Sequence, residues 1–369
     1  MAEEHTRWMR IALDEAIKGR GSVEPNPAVG AVIVRNGQEL ARGHHKRFGG
    51  PHAEREAMHA AQIAGRELRG ATMYVTLEPC SHFGKTPPCA DALIEAGFAR
   101  VVVAMEDPDP QVAGGGLDKL RKAGVEVVTG VCENEARHLL AAYVKQRTQS
   151  RPWVIGKWAQ TADGYLALPP GRGRWISGEV SREDVHRLRA WSEGICVGIG
   201  TALTDDPLLN NRLGWGRQPV RVVLDSSLKL PADSQLVRSA DEYPLLVVTS
   251  RLTREHRRED VAVLRRKGVE VVGISPGPGG LDLHQLLDEL GKRRWTYLLV
   301  EGGRAVHESF LRAGLYDELR VYVSPIELGP AGGNLPRLDV EEVAARCRLG
   351  DPEVHTFGDD RRLTYRPGR

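Results

Sequence analysis

The sequence predicts an α/β protein built as two domains, and three features carry that reading. Its 369 residues exceed what one ordinary hydrophobic core holds. Apolar strand-like runs alternate with helical stripes in both halves, which implies largely parallel sheets covered on both faces. Between the halves lies a polar stretch from Lys145 to Pro152. The boundary is expected there, with domains over 1–146 and 150–369.

Trp8, Ile11, Ala12, Ala16 and Ile17 recur at helical spacing and predict a helix over 5–17. Ala28 to Val34 reads as a strand, Asn36-Gly37 as a tight turn and Glu39 to Arg42 as the returning strand. A helix over 52–64, a strand over 72–77, a helix over 90–96 and a strand over 101–104 follow. The first half closes with a helix over 116–122, a strand over 125–128 and a helix over 133–145. In the second half, strands are expected at 153–157, 194–197, 220–224, 245–249, 269–272, 297–300 and 319–323. Helices are expected at about 181–191, 255–267, 282–291 and 304–313, and Ser275 to Gly280 reads as a loop.

Composition narrows the function classes. A formal net charge of +2 with scattered Arg residues gives no basic stripe for nucleic acid. No run reaches the roughly 18 apolar residues of a membrane span. The polar start, Met1-Ala2-Glu3-Glu4-His5, is unlike a signal peptide. Five Cys are too few and odd in number for a disulfide framework, so a reducing cytoplasm is expected, with thiols serving a metal or catalysis.

Three segments hold the chemistry: His52-Ala53-Glu54, Pro79-Cys80 and Pro87-Pro88-Cys89. A zinc deaminase needs three protein ligands, an open position for water and a Glu that shuttles protons without binding the metal. His52, Cys80 and Cys89 are the expected Zn2+ ligands and Glu54 the expected acid–base residue. Cys132, Cys196 and Cys347 match nothing of this kind. The eight residues between the two Cys include His82 and Lys85, which either bind a phosphate or are simply solvated.

These residues resemble the bifunctional riboflavin-biosynthesis deaminase/reductase family. The similarity runs through Pro25 to Gly30, Gly43-His44, Gly49 to Glu54, Glu78 to Cys89 and the 107–114 segment, and continues over essentially the whole chain. It implies a cytidine-deaminase-like three-layer domain followed by a dihydrofolate-reductase-like α/β domain. The first would hydrolyse the 2-amino group of 2,5-diamino-6-(5-phosphoribosylamino)pyrimidin-4(3H)-one. The second would reduce the ribosyl group to ribityl with NADPH, giving 5-amino-6-(5-phosphoribitylamino)uracil. By matching position, Asn26 would contact the pyrimidine, though between two prolines it also suits a turn. His44 would line the pocket or serve the fold.

Read alone, the second half is less specific. Gly198-Ile199-Gly200 lacks the third Gly of a dinucleotide fingerprint, while Glu301-Gly302-Gly303 after an apolar strand is either a phosphate cradle or a turn. The resemblance implies that Ala159, Trp175, Thr201, Asp205, Ser226 and Gly303 contact NADPH. Arg189, Leu209, Arg212 and Glu301 would contact substrate, the two Arg as a fork for the ribose 5-phosphate. Departures from the family pattern fall at Gln160 to Gly164, Gly173 and Gly329 to Gly333. The expected protein is a cytoplasmic homo-oligomer acting on a small phosphoribosyl-pyrimidine, without nucleic-acid or membrane partners. Competing readings are a deaminase with a degenerate second half, a nucleic-acid editor and a zinc-stabilised binding module.

Overall fold

The computed structural model describes residues 2–81, 88–109, 113–173 and 175–368. His82 and Lys85, with Pro110 and Val112 of the 107–114 segment, lie outside them. The chain divides into two compact units, Met1–Ser150 and Arg151–Arg369.

The first unit runs α1 (Ala2–Ile17), β1 (Gly30–Arg35), β2 (Gln38–His44), α2 (Ala53–Ile63), β3 (Thr72–Val75), α3 (Cys89–Glu95), β4 (Arg100–Val103), α4 (Gly115–Lys122), β5 (Glu126–Thr129), α5 (Glu133–Leu139) and α6 (Ala141–Gln149). Asn36 and Gly37 both have positive φ, 52° and 72°, as a two-residue hairpin turn requires. The strands order β2-β1-β3-β4-β5, antiparallel around β1 and parallel from β3 onward. Strand alternation sorts the core into two layers. Ala31, Ile33, Met73, Val75, Val101 and Val103 pack with α2, α3 and α4. Val32, Val34, Tyr74 and Val102 pack with Trp8 and Met9 of α1, Ala136 of α5 and Tyr143 of α6. This is the three-layer architecture anticipated above. The helix expected over 133–145 breaks at Leu140 and extends to Gln149, so the polar stretch is partly helical.

The second unit runs β6 (Trp153–Gln160), α7 (Glu179–Trp191), β7 (Gly194–Gly198), α8 (Ile199–Asp205), β8 (Val220–Leu224), α9 (Gln235–Arg238), β9 (Leu245–Ser250), α10 (Arg251–His256), α11 (Arg258–Arg266) and β10 (Glu270–Ile274). It continues through β11 (Pro276–Gly277), β12 (Gly280–Leu281), α12 (Leu283–Lys292), β13 (Tyr297–Glu301), α13 (Arg304–Arg312), β14 (Glu318–Val323), α14 (Val340–Arg346), β15 (Glu353–Phe357) and β16 (Asp360–Tyr365). Its nine-stranded sheet orders β10-β9-β8-β7-β13-β6-β14-β16-β15, parallel except where β16 pairs with β14 and β15.

Two local expectations are corrected here, and one edge of the sheet is added to them. The helix expected over 255–267 is two helices. Ser250 caps the first by accepting from Thr253 N at 3.0 Å, and Arg257 breaks the pair while donating to the Ser227 and Leu228 carbonyls. The 275–280 loop contains the small β11–β12 ladder. The antiparallel edge, β15 and β16, was not anticipated, because its sequence is charged rather than apolar.

Candidate functional site

His52 stands immediately before α2 with extended backbone, and Glu54 lies in the first turn of that helix. Cys89 opens α3, and Cys80 lies on the loop that follows β3. His52 Nδ1 is 3.5 Å from Cys80 Sγ and 3.4 Å from Cys89 Sγ, and the three potential ligand atoms all lie within 4.8 Å of one another. Tetrahedral zinc with bonds of about 2.0–2.3 Å separates its ligand atoms by about 3.5 Å, so the donor set and spacing fit that ion. It is the one such cluster among the described residues. Hydrogen bonds with Cys89 and His52 outweigh burial and bring the Cys80 thiol down to about 4. The bond with Cys80, together with burial, pushes the Cys89 thiol up; a bound divalent ion deprotonates both. Glu54 is 3% exposed, and burial raises its carboxyl above the usual range, toward what a neutral-pH proton carrier needs.

Beside the cluster the structure brings together Asn26 and His45, not Asn26 and His44. His45 Nδ1 donates to the Pro51 carbonyl at 2.8 Å, so its Nε2 accepts from Asn26 Nδ2 at 3.2 Å. The His45 ring meets His52 edge-on at 5.6 Å between centroids. This arrangement turns Asn26 Oδ1 away from His45. The His44 ring instead bonds Glu15 of α1 at 2.8 Å. Strand alternation supplies the reason. A Cβ on Gly43 would lie 2.4 Å from Ala57 N, so Gly43 faces α2; His45 shares that face and His44 points to the other. That period-two pattern was present in the sequence and could have selected His45. His45→Ala should leave zinc content unchanged but lower deamination kcat/KM by about tenfold or more, since it removes the acceptor that fixes the Asn26 amide and leaves the Pro51 carbonyl without this partner. A smaller effect than that of His44→Ala would refute the assignment.

In the second unit, Ala159, Ser226, Glu301 and Gly303 lie at or just beyond the carboxyl ends of parallel strands, where α/β sheets bind ligands. Glu301 ends β13 beside Lys157 of β6, its register partner. Arg189 of α7 grips Glu301 with two bonds, Nε to Oε1 at 2.9 Å and Nη2 to Oε2 at 3.1 Å, while its Nη1 donates to the Asn210 carbonyl at 3.1 Å. Of the two Arg expected to fork a phosphate, Arg189 therefore holds Glu301 in this structure. Arg212 is exposed and bonds Asn210 Oδ1 through Nε at 3.3 Å. Leu209, next to Asn210, is buried with φ of 53°, a left-handed conformation costly for a side chain with a Cβ.

Two residues given no role from sequence belong here. Lys157 Nζ lies 3.6 Å from Glu301 Oε2, and burial pulls its pKa down against the raising effect of that carboxylate. Burial also works to raise Glu301, but Arg189 and Lys157 prevail and hold it at about 2. His186 is brought down to about 4 by burial and by Arg189 and Arg212. Because the Glu301 pKa is depressed on folding, its stabilisation is present above the usual carboxyl range and is lost as pH falls through about 2. Arg189→Ala removes a partner from this buried carboxylate and should destabilise the second unit by about 3–5 kcal/mol. Denaturant titration that shows wild-type stability would refute this.

Thr201 and Gly303 also meet: Gly303 N donates to Thr201 Oγ1 at 3.2 Å. Gly302 has φ of 138°, and a Cβ there would lie 3.1 Å from the same hydroxyl oxygen. No side chain caps α13 at Gly303, so its first amides remain available to an anion, which fits a phosphate-bearing cofactor. Ala159 lies near the end of β6, and exposed Ser226 just beyond β8, where its carbonyl accepts from Thr253 Oγ1 at 2.8 Å. Asp205 ends α8 exposed to solvent, and Trp175 is exposed beneath the Arg182 guanidinium at 5.3 Å.

Comparison with known proteins covers both units. The cytidine and deoxycytidylate deaminase zinc-binding region matches residues 2–105, and the RibD C-terminal domain matches residues 152–360. The riboflavin biosynthesis protein RibD of Aquifex aeolicus is 40% identical over 354 residues, 96% of each chain. That of Escherichia coli is 38% identical over 369 residues, again 96% of each. Among solved structures, Acinetobacter baumannii RibD superposes with a TM-score of 0.84 at 36% identity, over 100% of both chains. The Thermotoga maritima diaminohydroxyphosphoribosylaminopyrimidine deaminase/5-amino-6-(5-phosphoribosylamino)uracil reductase does so with the same score and identity, over 100% of this chain and 99% of that one.

Proposed function

The chain belongs to the RibD family of riboflavin biosynthesis proteins, and from that premise we propose which residues carry its two reactions. It is a bifunctional enzyme. It deaminates 2,5-diamino-6-(5-phosphoribosylamino)pyrimidin-4(3H)-one in a zinc-dependent hydrolysis, then reduces the ribosyl side chain to ribityl with NADPH. We assign deamination to residues 1–146 and reduction to 150–369.

The observation that carries the deaminase assignment is the His52–Cys80–Cys89 cluster beside a buried Glu54. These three residues would hold zinc, which when bound acidifies a water molecule and supplies a nucleophile at neutral pH. Glu54 carries the two protons of the attacking water in turn, the first to the ring nitrogen and the second to the departing amine, which leaves as ammonia. Asn26, fixed by His45, reads the pyrimidine edge and orients the ring.

In the reductase, Ala159, Trp175, Thr201, Asp205, Ser226 and Gly303 hold NADPH, which supplies the hydride. Arg189 and Lys157 fix the Glu301 carboxylate toward the sugar, and Leu209 and Arg212 complete the substrate side. Arg212, the exposed cation, takes the phosphate. Arg212→Ala should deaminate normally yet lose about 2–3 kcal/mol of productive binding in the reduction, roughly 30- to 150-fold in kcat/KM. Unchanged NADPH oxidation by that variant would move the phosphate elsewhere.

No helix among the described residues is long and apolar enough to cross a membrane. A cytoplasmic homo-oligomer completes the proposal, and sedimentation of the purified chain tests its assembly. The decisive experiment for function is mass-resolved turnover of the diaminopyrimidine phosphate with and without NADPH. A loss of one amino group without NADPH, and a gain of two hydrogens only with it, is expected. NADPH oxidation without a ribityl product would defeat the reductase assignment.

A further inference from the structure

Cys80 lies on a loop, yet a metal ligand must be held to a fraction of an ångström. The residue two positions before it offers a means. Glu78 is 5% exposed, and its carboxylate accepts four backbone N–H groups. Oε1 takes Gly116 N at 2.9 Å and Leu117 N at 3.4 Å; Oε2 takes Gly114 N at 3.0 Å and Asp107 N at 3.3 Å. A buried carboxylate is costly unless hydrogen-bonded, and here the first-turn amides of α4 and the positive end of its dipole meet that need.

The same segment is pressed against α4 at its backbone. A Cβ on Gly116 would lie 1.8 Å from the Pro79 carbonyl oxygen and 3.3 Å from Glu78 Oε1, so only a hydrogen fits. Beyond it, the Cys80 carbonyl accepts from Ala90 N at 3.1 Å, and Cys80 Sγ accepts from Cys89 N at 3.3 Å. The ligand-bearing segment is thus held by α4 on one side and α3 on the other, and Glu78 is its side-chain tie to α4.

We propose that Glu78 is a positioning residue for the metal centre: by clamping residues 78–80 onto the first turn of α4, it sets where Cys80 Sγ stands relative to His52 and Cys89. This rests on the deaminase reading above. Gln cannot replace it, because its amide NH2 would face donors that one carboxylate oxygen now satisfies.

The test compares Glu78→Gln and Gly116→Ala with Met9→Ala, a core variant on the opposite face of the sheet. Zinc affinity is measured by chelator competition, and cobalt(II)-substituted protein is examined for its thiolate charge-transfer absorption. Both test variants should bind zinc about 10–100-fold more weakly, the range for groups that orient a ligand, and show an altered cobalt spectrum. Met9→Ala should lower the melting temperature while keeping both readouts. NADPH-dependent reduction of supplied deaminated intermediate should be unchanged in all three. If Glu78→Gln does not fold, Gly116→Ala, which displaces the same segment with Glu78 in place, decides the matter. Zinc affinity within twofold of wild type and an unchanged cobalt spectrum, whatever the melting temperature, would overturn the proposal. Wild-type protein that takes up no zinc would overturn the deaminase reading with it.

Discussion

Glu54→Gln is expected to retain one zinc per chain while losing deamination by several orders of magnitude. Glu54 is two residues from the proposed ligand His52 and buried, with a carboxyl raised by that burial, whereas the His/Cys/Cys set offers three ligands without it. A positioned acid–base group contributes about 10²–10⁴-fold to each proton transfer it serves, and Glu54 would serve more than one. The substitution preserves shape and polarity but removes the exchangeable proton, so metal analysis and turnover should separate cleanly. NADPH oxidation with supplied deaminated intermediate should continue at the wild-type rate, because the His/Cys/Cys cluster and the residues proposed to hold NADPH lie in different compact units. Near-wild-type deamination would give Glu54 the wrong role, and lost NADPH oxidation would mean that the two reactions are coupled.

Cys80→Ser and Cys89→Ser should each lose most of the zinc and abolish deamination. A serine hydroxyl does not ionise near neutral pH, so each change leaves two ligands where three are needed. Cys89 is fully buried at the first position of α3, and its replacement also removes the thiol that hydrogen-bonds Cys80. Loss of bound metal should lower the melting temperature of the first unit by mass action, an effect that added zinc reverses only in wild-type protein. Full zinc occupancy in both variants, by metal analysis of the purified proteins, would exclude the ligand set.

Most strands of the first unit were legible because they are short, apolar and bounded by turns, and polar β2 was legible from the Asn36-Gly37 turn before it. The reading of 72–77 and 101–104 as strands and 90–96 as a helix fell within a few residues of β3, β4 and α3. The metal cluster was legible for another reason: the chemistry restricts both residue type and order, so His52, Glu54, Cys80 and Cys89 form a pattern that folding only has to close. The charged edge of the second sheet was not. Buried Asp184 and half-buried Arg362 meet there across 178 residues, and Tyr322 donates to Asp184 Oδ2 at 2.7 Å. Such partners neutralise each other only after the chain has brought them together, so hydrophobic periodicity gives no sign of them.

Sequence alone was enough to read the α/β class and the two-part organisation, and to single out His52, Cys80 and Cys89 as candidate metal ligands with Glu54 as the candidate acid–base carboxylate. All four depend on local periodicity or on residue types whose chemistry has few substitutes. Tertiary structure alone decided which partners those residues meet. It turned His45 rather than His44 toward Asn26, because a strand's side chains alternate and Gly43 had to face α2. It joined Arg189 to Glu301 across 112 positions and placed Lys157 beside them, because parallel strands bring distant segments into register. It also set Glu78 on the first-turn amides of α4, where one buried carboxylate answers four N–H groups that no spacing in the sequence connects.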